Sequence, residues 1–127
     1  MSIKFRAIER GEPGVAGGGV KKWYASPVTQ GESDIERLTK NIEKISTVSG
    51  ADIRGVLYAL VDVSIDALEH GQIVRIGGLG SLRVSFSSTG VDNEADVVVG
   101  NIRKGRILFS PGPRLKLMLD QLSFEKA

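Results

Sequence analysis

The stretch Gly71–Val84 reads G-Q-I-V-R-I-G-G-L-G-S-L-R-V, and the reading of the whole chain turns on it. A helix is predicted to stop at Gly71. A short strand, Gln72 to Ile76, then runs into a glycine corner, Gly77-Gly78-Leu79-Gly80, and a second strand leaves from Ser81. Glycine suits such a corner because it takes positive φ at no steric cost and lets backbones approach closely. In the outgoing strand Leu82, Val84 and Phe86 share one face, and Ser81, Arg83, Ser85 and Ser87 share the other.

Two helices are predicted upstream. Ser33 is placed to cap the first, with Glu36 three residues on completing a capping box. Ile35, Leu38, Ile42 and Ile45 recur at helical spacing along it. Ser49, with Asp52 in the box position, starts a second helix. Its apolar stripe (Ile53, Val56, Leu57, Leu60, Val61, Leu68) is wide enough to call for burial on more than one side. Downstream, Ser88-Thr89-Gly90 and Asp92-Asn93 read as a turn, and Val97 to Val99 as a returning strand. Arg106 to Phe109 re-enters the sheet. Phe109-Ser110-Pro111-Gly112 then leads to a last helix with Pro113 in its first turn, where the missing N–H costs nothing. Leu115, Leu117 or Met118, Leu119 and Leu122 offer that helix an apolar face.

The order helix-helix-strand-corner-strand-excursion-strand-Pro-Gly-helix resembles the bacterial histone-like HU/IHF family of DNA-bending proteins. The resemblance covers roughly Ser33 to Leu122 and rests on two motifs, Gly78-Leu79-Gly80-Ser81-Leu82 and Phe109-Ser110-Pro111-Gly112. It implies an α+β fold of two helices, a three-stranded antiparallel sheet with a long β arm, and a C-terminal helix. It also implies a homodimer with Leu79, Leu82 and Phe109 in the dimer core, and double-stranded DNA as partner. The division expected is an N-terminal β extension at 1–31 and an HU-like DNA-binding domain at 32–127.

The extension itself reads as two strands, Ser2 to Ile8 and Val20 to Val28, around a glycine-rich turn at Glu12 to Gly19. These strands form a hairpin that could add to the edge of the main sheet. Trp23 and Tyr24 fall on its opposite faces. A Lys-Lys-Trp-Tyr run of this kind looks like the N-terminal extension of a divergent HU-like group.

The 127 residues carry a net charge of only +2. Its distribution is more telling than its size. The first 31 residues hold Lys4, Arg6, Arg10, Lys21 and Lys22 against Glu9 and Glu12, a surplus of three cations, so the remainder is at −1. A DNA binder needs a basic face to displace counterions. The resemblance places Arg103, Lys104 and Arg106 where the arm joins the body, flanking a DNA-cradling saddle, and Arg114 and Lys116 at the start of the last helix close by. A helix N-terminus with added cations suits phosphate. Arg83 and Arg75 lie on core strands and are candidates for the same saddle. Lys21 and Lys22 flank the aromatic pair, a pattern that can hold phosphates or stack on bases, although aromatic pairs in strands more often serve packing.

The arm departs from the family pattern. HU-like arms usually carry an Arg-Asn-Pro tip whose proline wedges between base pairs. From Val84 to Gly105 there is no proline, and the tip region holds Asp92, Glu94 and Asp96. Ser85 and Ser87 stand where the family often has arginines. The bending motif is therefore not carried over, and what is expected is weak, sequence-independent binding to the phosphate backbone.

Other chemistries lack their residues. Gly14 and Gly19 have phosphate-loop spacing, but Val20 stands where lysine is required. Arg83 breaks a dinucleotide fingerprint after Gly78 and Gly80. Asp62 and Asp66 gain no histidine or cysteine, and Val97 replaces the glycine of a calcium loop at Asp92, Glu94 and Asp96. His70 sits alone beside the helix stop. No enzyme activity, cofactor, metal or small-molecule substrate is expected. No apolar run reaches membrane-span length, there is no signal-peptide-like N-terminus, and the chain has no cysteine. A cytoplasmic, nucleoid-associated protein is expected. The rival reading is a protein-interaction or structural module that keeps the HU-like fold without strong DNA binding, favoured by the acidic arm and near-neutral core.

Overall fold

The computed structural model describes residues 1–127. Its elements are β1 (Ile3–Arg10), β2 (Lys22–Pro27), α1 (Ile35–Ile45), α2 (Gly50–Glu69), β3 (Val74–Ile76), β4 (Gly80–Ser85), β5 (Arg106–Pro111), α3 (Pro113–Asp120) and β6 (Phe124–Lys126). They fall into two compact units, Ser33–Leu117 and a second made of Met1–Glu32 with Met118–Ala127.

In the first unit both helices begin on a side-chain cap. Ser49 accepts a hydrogen bond from the Asp52 N–H at 3.3 Å, as its spacing predicts. The start of α1 differs from expectation. Asp34 is the cap, accepting from the Arg37 N–H at 3.0 Å, and Ser33 lies outside the helix. An ionised carboxylate is the stronger acceptor and is further favoured by the helix dipole. Arg54 on α2 forks onto the Glu36 carboxylate at 2.7 and 3.0 Å and ties the two helices together.

α2 ends as the sequence predicts. Gly71 adopts φ +75°, its N–H bonds the Leu68 carbonyl and the Gln72 N–H bonds the Ala67 carbonyl, each at 3.0 Å. Those two bonds make the Schellman stop, which needs a left-handed residue at this point. Gly71→Ala should cost about 1–2 kcal/mol and lower the midpoint of thermal unfolding by a few degrees in circular dichroism. An unchanged midpoint would show that the cap contributes nothing.

The sheet of this unit has the order β3-β4-β5, antiparallel throughout. Leu82 pairs with Val74 on one side and Phe109 on the other. The corner and the Phe-Ser-Pro-Gly return, about thirty residues apart in sequence, are packed against one another. The Gly112 N–H bonds the Leu79 carbonyl at 2.9 Å. A Cβ at Gly80 would overlap the Ser110 carbonyl and come within 2.8 Å of the Phe109 ring, and one at Gly112 would lie 2.6 Å from the Gly78 carbonyl. Backbone touches backbone here, which is why glycine stands on both sides.

Very little of the unit is sealed from solvent. Ile53, 6% exposed, is the one large apolar side chain that is buried, and Thr39 and Ser64 are the buried polar ones. On α1 the stripe is rotated from the one expected: Thr39 is buried, Ile35 and Ile42 are half-buried, and Ile45 is 86% exposed. Along α2 Val56, Leu60, Val61 and Ile65 are all exposed. An apolar groove of about 280 Å³ runs between α2 and the sheet, lined by Leu60, Leu68, Ile76, Leu82 and Ile107 among others.

The excursion between β4 and β5 is not the long β arm expected. Its strands touch through one isolated bridge, Ser88 with Ile102. Val97 to Val99 is no strand: short 3-10 turns occupy Glu94–Asp96 and Val99–Asn101. Asn101 explains this locally. Its side chain accepts from the Val98 N–H at 2.7 Å and donates to Thr89 Oγ1 at 3.1 Å, offering the backbone an alternative to a ladder.

In the second unit β1 and β2 form the predicted hairpin, with Ile8 opposite Tyr24 and Glu9 opposite Trp23. It does not extend the β3-β4-β5 sheet. It builds a separate three-stranded sheet of order β2-β1-β6, in which β6 pairs parallel to β1. The C-terminal strand has no counterpart in the sequence reading. Of the apolar residues expected to bury one face of the last helix, Leu115 and Leu122 become half-buried, while Leu117, Met118 and Leu119 stay exposed.

Candidate nucleic-acid interface

The cross-strand register sorts the residues of the β3-β4-β5 sheet onto two unlike faces. Side chains paired across an antiparallel sheet share a face. Val74, Ile76, Leu82, Val84, Ile107 and Phe109 fall on one face, towards the groove beside α2. Arg75, Ser81 and Ser110 form one row of the other. Arg83 with Leu108 forms the next row, and Ser85 with Arg106 the third. The three arginines therefore run diagonally across the sheet, one on each strand, over roughly 16 Å from the usual strand spacings. All three are exposed and none is held in an ion pair.

At the corner end this face opens into a concavity of about 380 Å³. Arg75 and Lys116 line it together with Ser81, Ser110, Gly112 and Pro113. The first turn of α3 is part of its wall, and Pro113 removes one N–H there while the Lys116 N–H is taken by the Gly112 carbonyl at 3.0 Å. The Arg114 stem lies over Gly78, close enough that a Cβ at Gly78 would stand 2.8 Å from Arg114 Cγ and Cδ. That packing leaves the aliphatic part of Arg114 on the backbone and its charged end outward.

Arg103 and Lys104 are exposed and precede the strand. They sit on the root of the excursion, where the Arg103 N–H bonds the Ser87 carbonyl at 2.8 Å. Lys21 and Lys22 belong to the other unit. Lys22 Nζ is engaged by Glu12 Oε1 at 2.7 Å, and the ring of Tyr24 carries the Arg10 guanidinium at 4.7 Å from its centre. Of the expected dimer-core residues, Leu82 is half-buried, whereas Leu79 and Phe109 are 49% and 51% exposed on the single chain.

Two contributors escaped the sequence reading, the hydroxyls of Ser81 and Ser110 that complete the row with Arg75. The alternation within each strand was readable. The offset between strands, which puts these residues side by side, was not. Asp92, Glu94 and Asp96 stay at the exposed tip of the excursion, and Asn93 Nδ2 donates to Asp96 Oδ2 at 3.3 Å.

Two helices followed by a twisted antiparallel meander, a backbone-packed glycine corner and a short closing helix make up the HU-like class of fold. The chain belongs to the family described as an HU domain fused to a wHTH, Ig or glycine-rich motif, whose model matches residues 1–126. Among solved structures it is similar to a Bacteroides vulgatus protein whose name assigns it to DNA binding, with a TM-score of 0.68 and 13% identity. That match covers 98% of this chain and 48% of the other, so the chain spans about half the length of that protein. It is also similar to the Anabaena HU protein solved with DNA, with a TM-score of 0.52 and 18% identity over 68% of this chain and 96% of that one. No curated protein matches its sequence. No helix is long and apolar enough to cross a membrane.

Proposed function

We propose that this protein is a non-catalytic, architectural binder of duplex DNA, acting as a homodimer and gripping the phosphate backbone with little regard to sequence. The observation that carries the reading is the segregation of one small sheet into a cationic face, with Arg75, Arg83 and Arg106, and an apolar face, with Leu82, Ile107 and Phe109. A helix and sheet that leave Val61, Ile65 and Phe109 about half exposed call for a partner to cover them. A second copy is the simplest one and would present two cationic faces to one duplex. The Anabaena HU protein, solved with DNA, shares the fold. Lys116, Arg114, Arg103 and Lys104 extend the cationic surface, and Lys21 and Lys22, in the other unit, are proposed as further phosphate contacts. The nucleoid of the cytoplasm is the proposed location.

Fluorescence anisotropy of a labelled duplex of about 30 base pairs, titrated over a salt series, tests this. Six phosphate contacts give a log–log slope of about −5 and a loss of about 10³-fold in affinity between 50 and 200 mM salt. Absence of binding at low salt would overturn the reading. The tip of the excursion favours a second reading. Its carboxylates Asp92, Glu94 and Asp96 stand beside exposed Val97, Val98 and Val99, a surface better suited to another protein than to phosphate. An HU-like interaction module would produce no anisotropy shift at any salt.

A further inference from the structure

The β2-β1-β6 sheet is sorted by charge as sharply as the arginine-bearing one. Along β1 the odd positions Ile3 and Phe5 look onto an apolar groove of about 490 Å³, shared with Ala25, Pro27 and Phe124. The even positions Lys4, Arg6 and Arg10 lie on the opposite face, where the register brings Lys22 beside Arg10 and Tyr24 beside Ile8. Glu9, the one acid of the strand, falls on the apolar side next to Trp23. Two carboxylates oppose the cations from neighbouring elements: Glu125 of β6 is the register partner of Lys4, and Glu12 holds Lys22 at 2.7 Å. Arg6 and Arg10 are in no ion pair and are exposed in the whole chain.

Ordinary solubility does not require this arrangement. Four of the five cations in the first 31 residues fall on one face of one sheet. Lys4, Arg6 and Arg10 sit on a single strand, and its length from Lys4 to Arg10 is about 20 Å, the rise of about six base pairs. The Arg10 guanidinium lies over the Tyr24 ring, 4.7 Å from its centre, and this contact helps to hold a multi-donor cation in place.

We infer that the Lys4-Arg6-Arg10 face is a second phosphate-binding surface for duplex DNA, built on the family's N-terminal hairpin and additional to the arginine face of the other sheet. The inference rests on the DNA-binding reading above. It explains where the basic surplus of the chain lies: the HU-like body is close to neutral, and the extension supplies cations that the acidic excursion lacks.

The test uses the full-length triple variant Lys4→Gln/Arg6→Gln/Arg10→Gln in the same anisotropy salt series. Three lost contacts should flatten the slope by about 2.7, at about 0.9 each, and weaken binding at 50 mM salt about tenfold or more. The circular dichroism melt should be unchanged. Arg6→Glu alone, at one exposed position, should weaken binding more than Arg6→Gln does, and it serves if the triple variant fails to fold. Slopes equal to the parent's in both variants overturn this inference and leave the DNA reading intact. A parent chain that binds no DNA overturns both.

Discussion

Replacing Arg75, Arg83 and Arg106 together by alanine is expected to flatten the salt dependence of duplex binding by about 2.7 in log–log slope. Affinity should fall on the order of a hundredfold, taking ~1 kcal/mol per exposed charge pair. The expectation follows from their placement: one on each strand of a single sheet, all on the face turned away from the apolar groove. The side chains are exposed, so the thermal midpoint should stay within a degree or two of the parent's. Lysine at the same three positions should preserve the slope, since counterion release counts charges, while losing some affinity through the missing guanidinium forks. A slope unaffected by alanine would move the DNA surface elsewhere on the molecule.

Leu82→Asp is expected to have the largest effect on stability. Leu82 is flanked across the sheet by Val74 and Phe109 and lines the groove beside Leu60 and Leu68 of α2. Losing the full burial that a dimer partner would give this half-buried side chain costs about 1.5–3 kcal/mol, and a carboxylate left on an apolar surface adds a desolvation penalty of several kcal/mol more. In a symmetric dimer each substitution is present twice. A chain with a single buried large apolar side chain, Ile53, has little reserve to absorb that. Light scattering should report the mass of one chain, or circular dichroism a lost cooperative transition. A dimer mass with an unchanged midpoint would show that this face is not the interface.

The parts of the fold that were legible in the sequence are those fixed by neighbours along the chain. Ser49 and Gly71 were readable because a cap and a left-handed stop act within a few residues. The hairpin of the extension was readable from alternation on either side of a glycine-rich turn. At the start of α1 the reading put the cap at Ser33, whereas the Asp34 carboxylate is the acceptor that reaches the Arg37 N–H. Val97 to Val99 misled for a related reason: their strand propensity is real, but the Asn101 side chain outcompetes a ladder. β6 could not be read at all. Three residues show no periodicity, and Phe124 is a strand because Ile3 lies beside it. The candidate site was half legible. Its arginines could be named one by one, but their common face depends on the offset between strands, which no single segment carries.

The parallel pairing of β6 with β1 also dictates an order of events. Ile3 and Phe124 stand 121 positions apart, whereas β1 and β2 are separated only by residues 11–21. During synthesis the hairpin can close as soon as both its strands are clear of the ribosome. The edge of β1 that β6 will occupy stays unpaired until Phe124–Lys126 has been made. Joining strands so distant along the chain is slow compared with closing a hairpin. An open edge with Ile3 and Phe5 beside it is a template for unwanted strand pairing in the meantime. Phe124–Lys126 thus acts as a latch on Ile3–Phe5, and kinetic experiments should find a late phase that vanishes when Phe124–Lys126 is removed.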